Sequence, residues 1–184
     1  MSEVWYFAYG SNMQADTFRG RRGVEWARAM PVRARGWRLV LDKPPLLPGA
    51  ATSYANIVPD PDAEVLGVAY HVTEHDLAHI ELTEGVAIGN YERVAIDVTP
   101  LADPAASSFR CWSLHSTKRA PELRPSERYL RLLVCGAEEH GLPAAWIAWL
   151  RSHPCHPESA AEQELRSHLD EALRALRPGK KEPR

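Results

Sequence analysis

The sequence predicts an α+β fold, and three observations carry that prediction. Runs rich in β-branched and aromatic residues fill the first two thirds of the chain. A single helical segment interrupts them, and everything after Pro125 follows a helical pattern. Val4-Trp5-Tyr6-Phe7-Ala8-Tyr9 reads as a strand that ends in the polar turn Gly10-Ser11-Asn12. Met13 to Arg22 can form a short helix before Gly23. Two strands are expected at Val24 to Arg35 and Trp37 to Asp42, parted by Gly36, with Arg33 and Arg35 on a solvated face. Lys43 to Thr52 is rich in Pro and Gly and reads as a long loop. Ala55 to Val58 and Val65 to Val72 read as two strands joined by Pro59-Asp60-Pro61-Asp62.

Thr73, with Asp76 three residues on, offers an N-cap for a helix running to about Glu81 and stopped by Gly85. Tyr91 to Val98 and Phe109 to His115 complete about seven strands. Helices are expected near Ser126 to His140, Pro143 to Ser152 and Ser159 to Leu176. In the last, Leu165, Leu169, Leu173 and Leu176 form one apolar stripe. Residues 1–177 read as a single domain, and 178–184 as a disordered tail.

Hydrophobic residues make up 45% of the 184 and charged residues 25%, enough for a core. Lys+Arg number 22 and Asp+Glu 24, a net charge of −2, so no global positive field holds nucleic acid or an anionic membrane. The longest apolar run, Ala144 to Leu150, is too short to span a bilayer. The N-terminus lacks the basic and apolar regions of a signal peptide. Three cysteines without a Cys-x-x-Cys pair argue against a disulfide framework, so the expected compartment is cytoplasmic.

Several motifs compete for the chemistry. Gly136 to Gly141 has P-loop spacing but continues Leu142-Pro143, which is better read as one helix ending and another beginning. His75 and His79 stand at i and i+4 on a helix, the spacing of metal ligands, but no third ligand has a diagnostic spacing. A metal-dependent hydrolase using this pair is therefore the weakest of the readings. Arg19, Arg21, Arg22, Arg28, Arg33, Arg35 and Arg38 concentrate positive charge, and without an RNA-binding aromatic signature they read as a solvated face.

Two features are sharper. A Gly10-Ser11-Asn12 turn between strand and helix can gather backbone N–H groups into a cradle for a carboxylate or oxyanion. It can equally be an ordinary capped turn. Glu84 follows Leu77 and Ile80 at i+3 and i+7, on the stripe that the helix turns to the core, at the helix's negative end. Burial and that dipole both work against an ionised carboxylate, which suggests function. A frayed helix end with Glu84 in water is the other reading.

Both features occur, in this order, in the γ-glutamylcyclotransferases. Tyr9-Gly10-Ser11-Asn12-Met13 resembles that family's Tyr-Gly-Ser-Asn-Leu loop, and Glu84-Gly85-Val86 with Tyr91 resembles the segment of its catalytic glutamate. Val65 to Tyr70, Pro125 to Tyr129 and Gly136 to Pro143 are similar to further family segments. The resemblance implies a small mixed β-barrel with flanking helices, often a homodimer, that needs no cofactor and no metal. It implies a small-molecule γ-glutamyl substrate, cyclised to 5-oxoproline with release of an amine. Glu84 would be the catalytic base and acid; Tyr9, Gly10, Ser11, Asn12, Met13, Tyr91 and Tyr129 would hold substrate. A binding module that keeps the cavity without turnover is the rival reading, against which Glu84 itself argues.

Overall fold

Five strands close into a barrel in the order β1-β3-β2-β4-β5. The computed structural model describes residues 2–46, 50–103 and 105–175. Leu176 and the tail expected at 178–184 lie outside them, as does the Leu173 side chain.

Strand β1 (Glu3–Ala8) buries its last three residues and pairs antiparallel with β3 (Tyr54–Thr73). Strand β2 (Arg28–Lys43) is one element, not the two expected, and it starts at Arg28 instead of Val24. Gly36 marks a register shift in its ladder with β3 and does not end the strand. The same shift explains why β3 is also continuous. Arg35 pairs with Glu64 and Trp37 with Pro59, so Asp60 to Ala63 bulge out of the ladder opposite Gly36. Pro61 sits in that bulge, where a missing N–H costs no ladder bond. Strands β4 (Glu92–Pro100) and β5 (Phe109–His115) form an antiparallel pair, and β5 meets β1 in parallel at Tyr6 and Trp112. Side chains stitch that narrow seam: Ser113 Oγ donates to Phe7 O (2.9 Å), and Tyr9 Oη to Leu114 O (2.5 Å).

Helix α1 (Glu74–Thr83) leaves β3 through its cap, the Asp76 N–H donating to Thr73 Oγ1. Helix α2 (Glu127–Glu139) buries Tyr129, Leu133, Gly136 and Ala137 against the barrel end. Helices α3 (Ala144–Arg151) and α4 (Ala160–Ala175) follow as expected.

The helix expected at Met13 to Arg22 is replaced by a 3-10 turn, Ser11–Met13, and a π-helix, Asp16–Arg21. Its wide turn is closed by Arg22 N–H donating to Thr17 O (3.0 Å). Such single wide turns recur at functional sites because they re-aim one side chain. Here that side chain is Arg22. Phe18, inside the same turn, stacks against Tyr6 and tilts onto Tyr70, anchoring the segment in the core.

Candidate active site

The open end of the barrel holds a cavity of about 220 Å³. Of the residues expected at the site, Tyr9, Gly10, Ser11, Asn12, Glu84, Tyr91 and Tyr129 all line it. Met13 does not. It is 0% exposed, packed beneath Gly136 of α2, and its N–H donates to Gly10 O (3.0 Å). The tight turn that presents Gly10 to Asn12 consumes the amide of Met13, so this residue supports the cradle without facing it.

Glu84 caps the C-terminus of α1. Gly85 follows at φ 73°, a left-handed conformation that an L side chain resists, and it turns the chain sharply away from the helix. The carboxylate neither frays into water nor lies bare in the core. Its Oε1 accepts from Asn12 Nδ2 (3.0 Å) and lies 2.7 Å from Arg22 Nη2, with Glu84 17% and Arg22 8% exposed. The expectation based on burial and the helix end omitted this guanidinium.

Arg22 is the correction to the arginine-rich segment. Read as part of a solvated face, it is buried against Glu84 and donates from Nη1 to Thr83 Oγ1 (3.0 Å). Its carbonyl lies 2.7 Å from His79 Nε2, and a carbonyl only accepts, so that ring nitrogen carries the proton. His79 thus braces the backbone behind the ion pair. His75 is exposed, so the i, i+4 pair does not converge on a metal. Among the described residues no three metal-ligating side chains gather.

Tyrosines form much of the remaining wall. Asn12 Nδ2 also donates to Tyr6 Oη (3.1 Å), Tyr91 Oη donates to Ala55 O (2.9 Å), and Ala55 N–H donates to Tyr129 Oη (3.0 Å). Burial pushes the hydroxyls of Tyr6, Tyr9, Tyr91 and Tyr129 above the ordinary phenol range, and the charge of Glu84 adds to this at each. They act as neutral groups at physiological pH.

Lys43, assigned from sequence to a loop, ends β2 at 1% exposure and lines the cavity. Burial pulls its ammonium down to about 8, against the opposing pull of Glu84, with Lys118 adding to the fall. A signal for it was present. Trp37, Leu39 and Leu41 alternate along β2, and Lys43 stands at the next position of that series. Arg22 had a weaker one, falling four residues after Phe18. Helix α4 closes one side of the cavity with Glu162, Leu165, Arg166 and Leu169. Two of the stripe leucines are thus wall residues as well as packing.

The family model of AIG2-like proteins matches residues 64–150. Gamma-glutamyl cyclotransferase aclK of Aspergillus oryzae is 33% identical over 186 residues, covering 90% of this chain and 67% of that protein. Gamma-glutamylcyclotransferase of Bos taurus is 29% identical over 154 residues, covering 80% and 77%. A solved gamma-glutamyl cyclotransferase structure superposes with a TM-score of 0.73 at 22% identity, over 91% of this chain and 99% of that one. That likeness speaks for the fold. Coverage and identity together place the chain in the gamma-glutamyl cyclotransferase family.

Proposed function

We propose that the protein cyclises a γ-glutamyl amide to 5-oxoproline with release of an amine, using Glu84 as general base and then general acid. One observation carries the reading. The Glu84 carboxylate, held by Asn12 and Arg22, faces the same cavity as the Gly10-Ser11 turn.

A γ-glutamyl group carries an α-carboxylate and an α-ammonium on one carbon. The turn at Gly10 to Asn12, reached closely where Gly10 has no side chain, suits the carboxylate. Glu84 then stands beside the α-ammonium. It takes one proton, the freed amine attacks the γ-carbonyl carbon, and a five-membered ring closes. Glu84 passes this proton to the leaving nitrogen and takes the second proton from the ring nitrogen, so collapse of the tetrahedral intermediate breaks the bond to the leaving nitrogen and leaves a neutral lactam. The released amine takes up that second proton as an ammonium, and Glu84 is again a carboxylate. One carboxylate serves these transfers because the two nitrogens share the same carbon at the intermediate. Nucleophile and electrophile belong to one molecule, so positioning supplies much of the acceleration. Arg22 and Asn12 fix the carboxylate's orientation.

The test is release of 5-oxoproline from a panel of γ-glutamyl amino acids, peptides and amines. Glu84→Gln is expected to lower kcat by about 10²- to 10⁴-fold, the usual worth of a general acid–base group. Calorimetry should show that the variant still binds 5-oxoproline. A wild-type protein that binds 5-oxoproline yet forms none from any compound is a binding module, and the proposal fails.

A further inference from the structure

The geometry points to Lys43 as a second catalytic residue, an ammonium that carries the negative charge formed on the γ-carbonyl oxygen. The inference rests on the cyclisation above and adds the group that this reaction most needs.

Attack by the α-amine forms a carbon–nitrogen bond and moves the carbonyl π pair onto oxygen. Collapse returns that pair and breaks the bond to the leaving nitrogen. Between these steps the oxygen holds a full charge inside the cavity. A fixed donor there is commonly the largest single contribution to such catalysis. Tyr9 and Tyr91 spend their hydroxyl protons on Leu114 O and Ala55 O, Tyr6 and Tyr129 offer only a neutral donor, and neither Glu84 nor Asn12 can fill this role well. Glu84 is an acceptor, and Asn12 Nδ2 already serves Tyr6 and Glu84. Arg22 is taken up by Glu84 and Thr83.

Lys43 is differently placed. Its Nζ donates to Pro44 O (2.7 Å) and Asn90 Oδ1 (2.5 Å), two of the three protons an ammonium offers. Among the described residues no carboxylate pairs with it, so its charge is not cancelled by contact. It sits 4.9 Å from the centre of the Tyr91 ring, whose face tolerates a cation without hydrogen bonding to it. The third proton is the one left for a ligand in the cavity that Lys43 lines.

Asn90 ties this lysine to the base. Its Oδ1 accepts from Lys43, and its Nδ2 donates to the Glu84 carbonyl (2.8 Å). One amide side chain therefore sets the spacing between the group that moves protons and the group that would meet the oxyanion. The lysine remains protonated throughout and transfers nothing.

The charged groups around Lys43 come from several elements. Glu84 ends α1, Lys118 follows β5, and Asp42 on β2 is engaged by Arg119. Burial dominates and leaves the ammonium at about 8. The active form is thus lost as pH rises through about 8, which gives kcat a descending limb.

The experiment compares wild type, Lys43→Met and Lys43→Gln with a γ-glutamyl amino acid that wild type turns over. Both variants are expected to lose about 10²- to 10³-fold in kcat, as when an oxyanion donor is removed. KM and 5-oxoproline affinity should stay within about threefold, since the contact forms mainly in the transition state. Wild-type kcat should fall above about pH 8, and that descending limb should be missing from the variants. A folded variant with near wild-type kcat overturns the inference. So does a loss confined to KM, which would make Lys43 the partner of the substrate carboxylate. If neither variant folds, the wild-type profile decides, and a kcat flat to pH 10 overturns it. A wild-type protein that releases no 5-oxoproline overturns the cyclisation itself before any variant is made.

Discussion

A lysine at 1% exposure, with no carboxylate in contact among the described residues, is costly to keep charged, and that cost has a measurable pH signature. Unfolded, Lys43 holds its proton to its ordinary value of 10.5; folded, it releases it at about 8. Below 8 both states are protonated and the burial penalty is fully present. Between the two values the unfolded state binds more protons, so folding stability rises with pH by up to about 3 kcal/mol. Lys43→Met lacks this rise. Urea midpoints at pH 7 and pH 10 should show the wild type gaining on the variant as pH increases. A constant gap would mean that Lys43 titrates as a solvated amine. Residues of this kind were hard to read from sequence because their partners are remote. Arg22 meets Glu84, and Lys43 meets Asn90, only after the barrel closes. Gly10, Ser11, Asn12 and Glu84 were legible because a local turn and a helix end announce themselves within a few positions. Met13 was the exception, carried along by its neighbours although the turn points it inward.

At the level of elements, helix α2 sets the position of the Gly10–Met13 turn through a contact that only glycine allows. A Cβ on Gly136 would lie 2.6 Å from Gln14 N and 2.7 Å from Met13 C. Both are backbone atoms of the segment that carries Asn12, so they cannot swing aside as a side chain would. Gly136→Ala must push the turn or the helix outward and is expected to destabilise by about 1–3 kcal/mol. Urea unfolding reads that loss. Turnover should fall further than stability alone explains, because Asn12 moves off Glu84. The helices were the most legible elements, since Thr73, Ser126 and Gly141 punctuate them. The strands were less so. Prolines and glycines that usually end a strand instead sit in matched bulges of β2 and β3, and bulge pairing involves two segments at once. For Met13 to Arg22 the sequence predicts only a short helix, not the π-helix at Asp16–Arg21, because periodicity scarcely separates one wide turn from the ordinary kind.

Across the whole molecule, stability depends on how the barrel closes. Pairing of β1 with β5 is confined to Tyr6 and Trp112 in the backbone, with Ser113 and Tyr9 adding side-chain bonds across the seam. Ser113→Ala should cost about 1 kcal/mol, the usual net worth of a buried hydrogen bond. Tyr9→Phe should cost a similar amount, and a double-mutant cycle measures how far the two act together. The seam also joins the first strand of the barrel to its last. Synthesis delivers β1 first, yet its flanks must wait for β3 on one side and β5 on the other. A nascent chain stalled before Phe109 therefore leaves an apolar edge open, and such an edge templates pairing with a neighbouring chain. Tyr129 and the α4 wall arrive later still. The chain must be translated past Leu169 before the cavity at Glu84 has all its walls, so shorter products expose the open edge without a finished chamber.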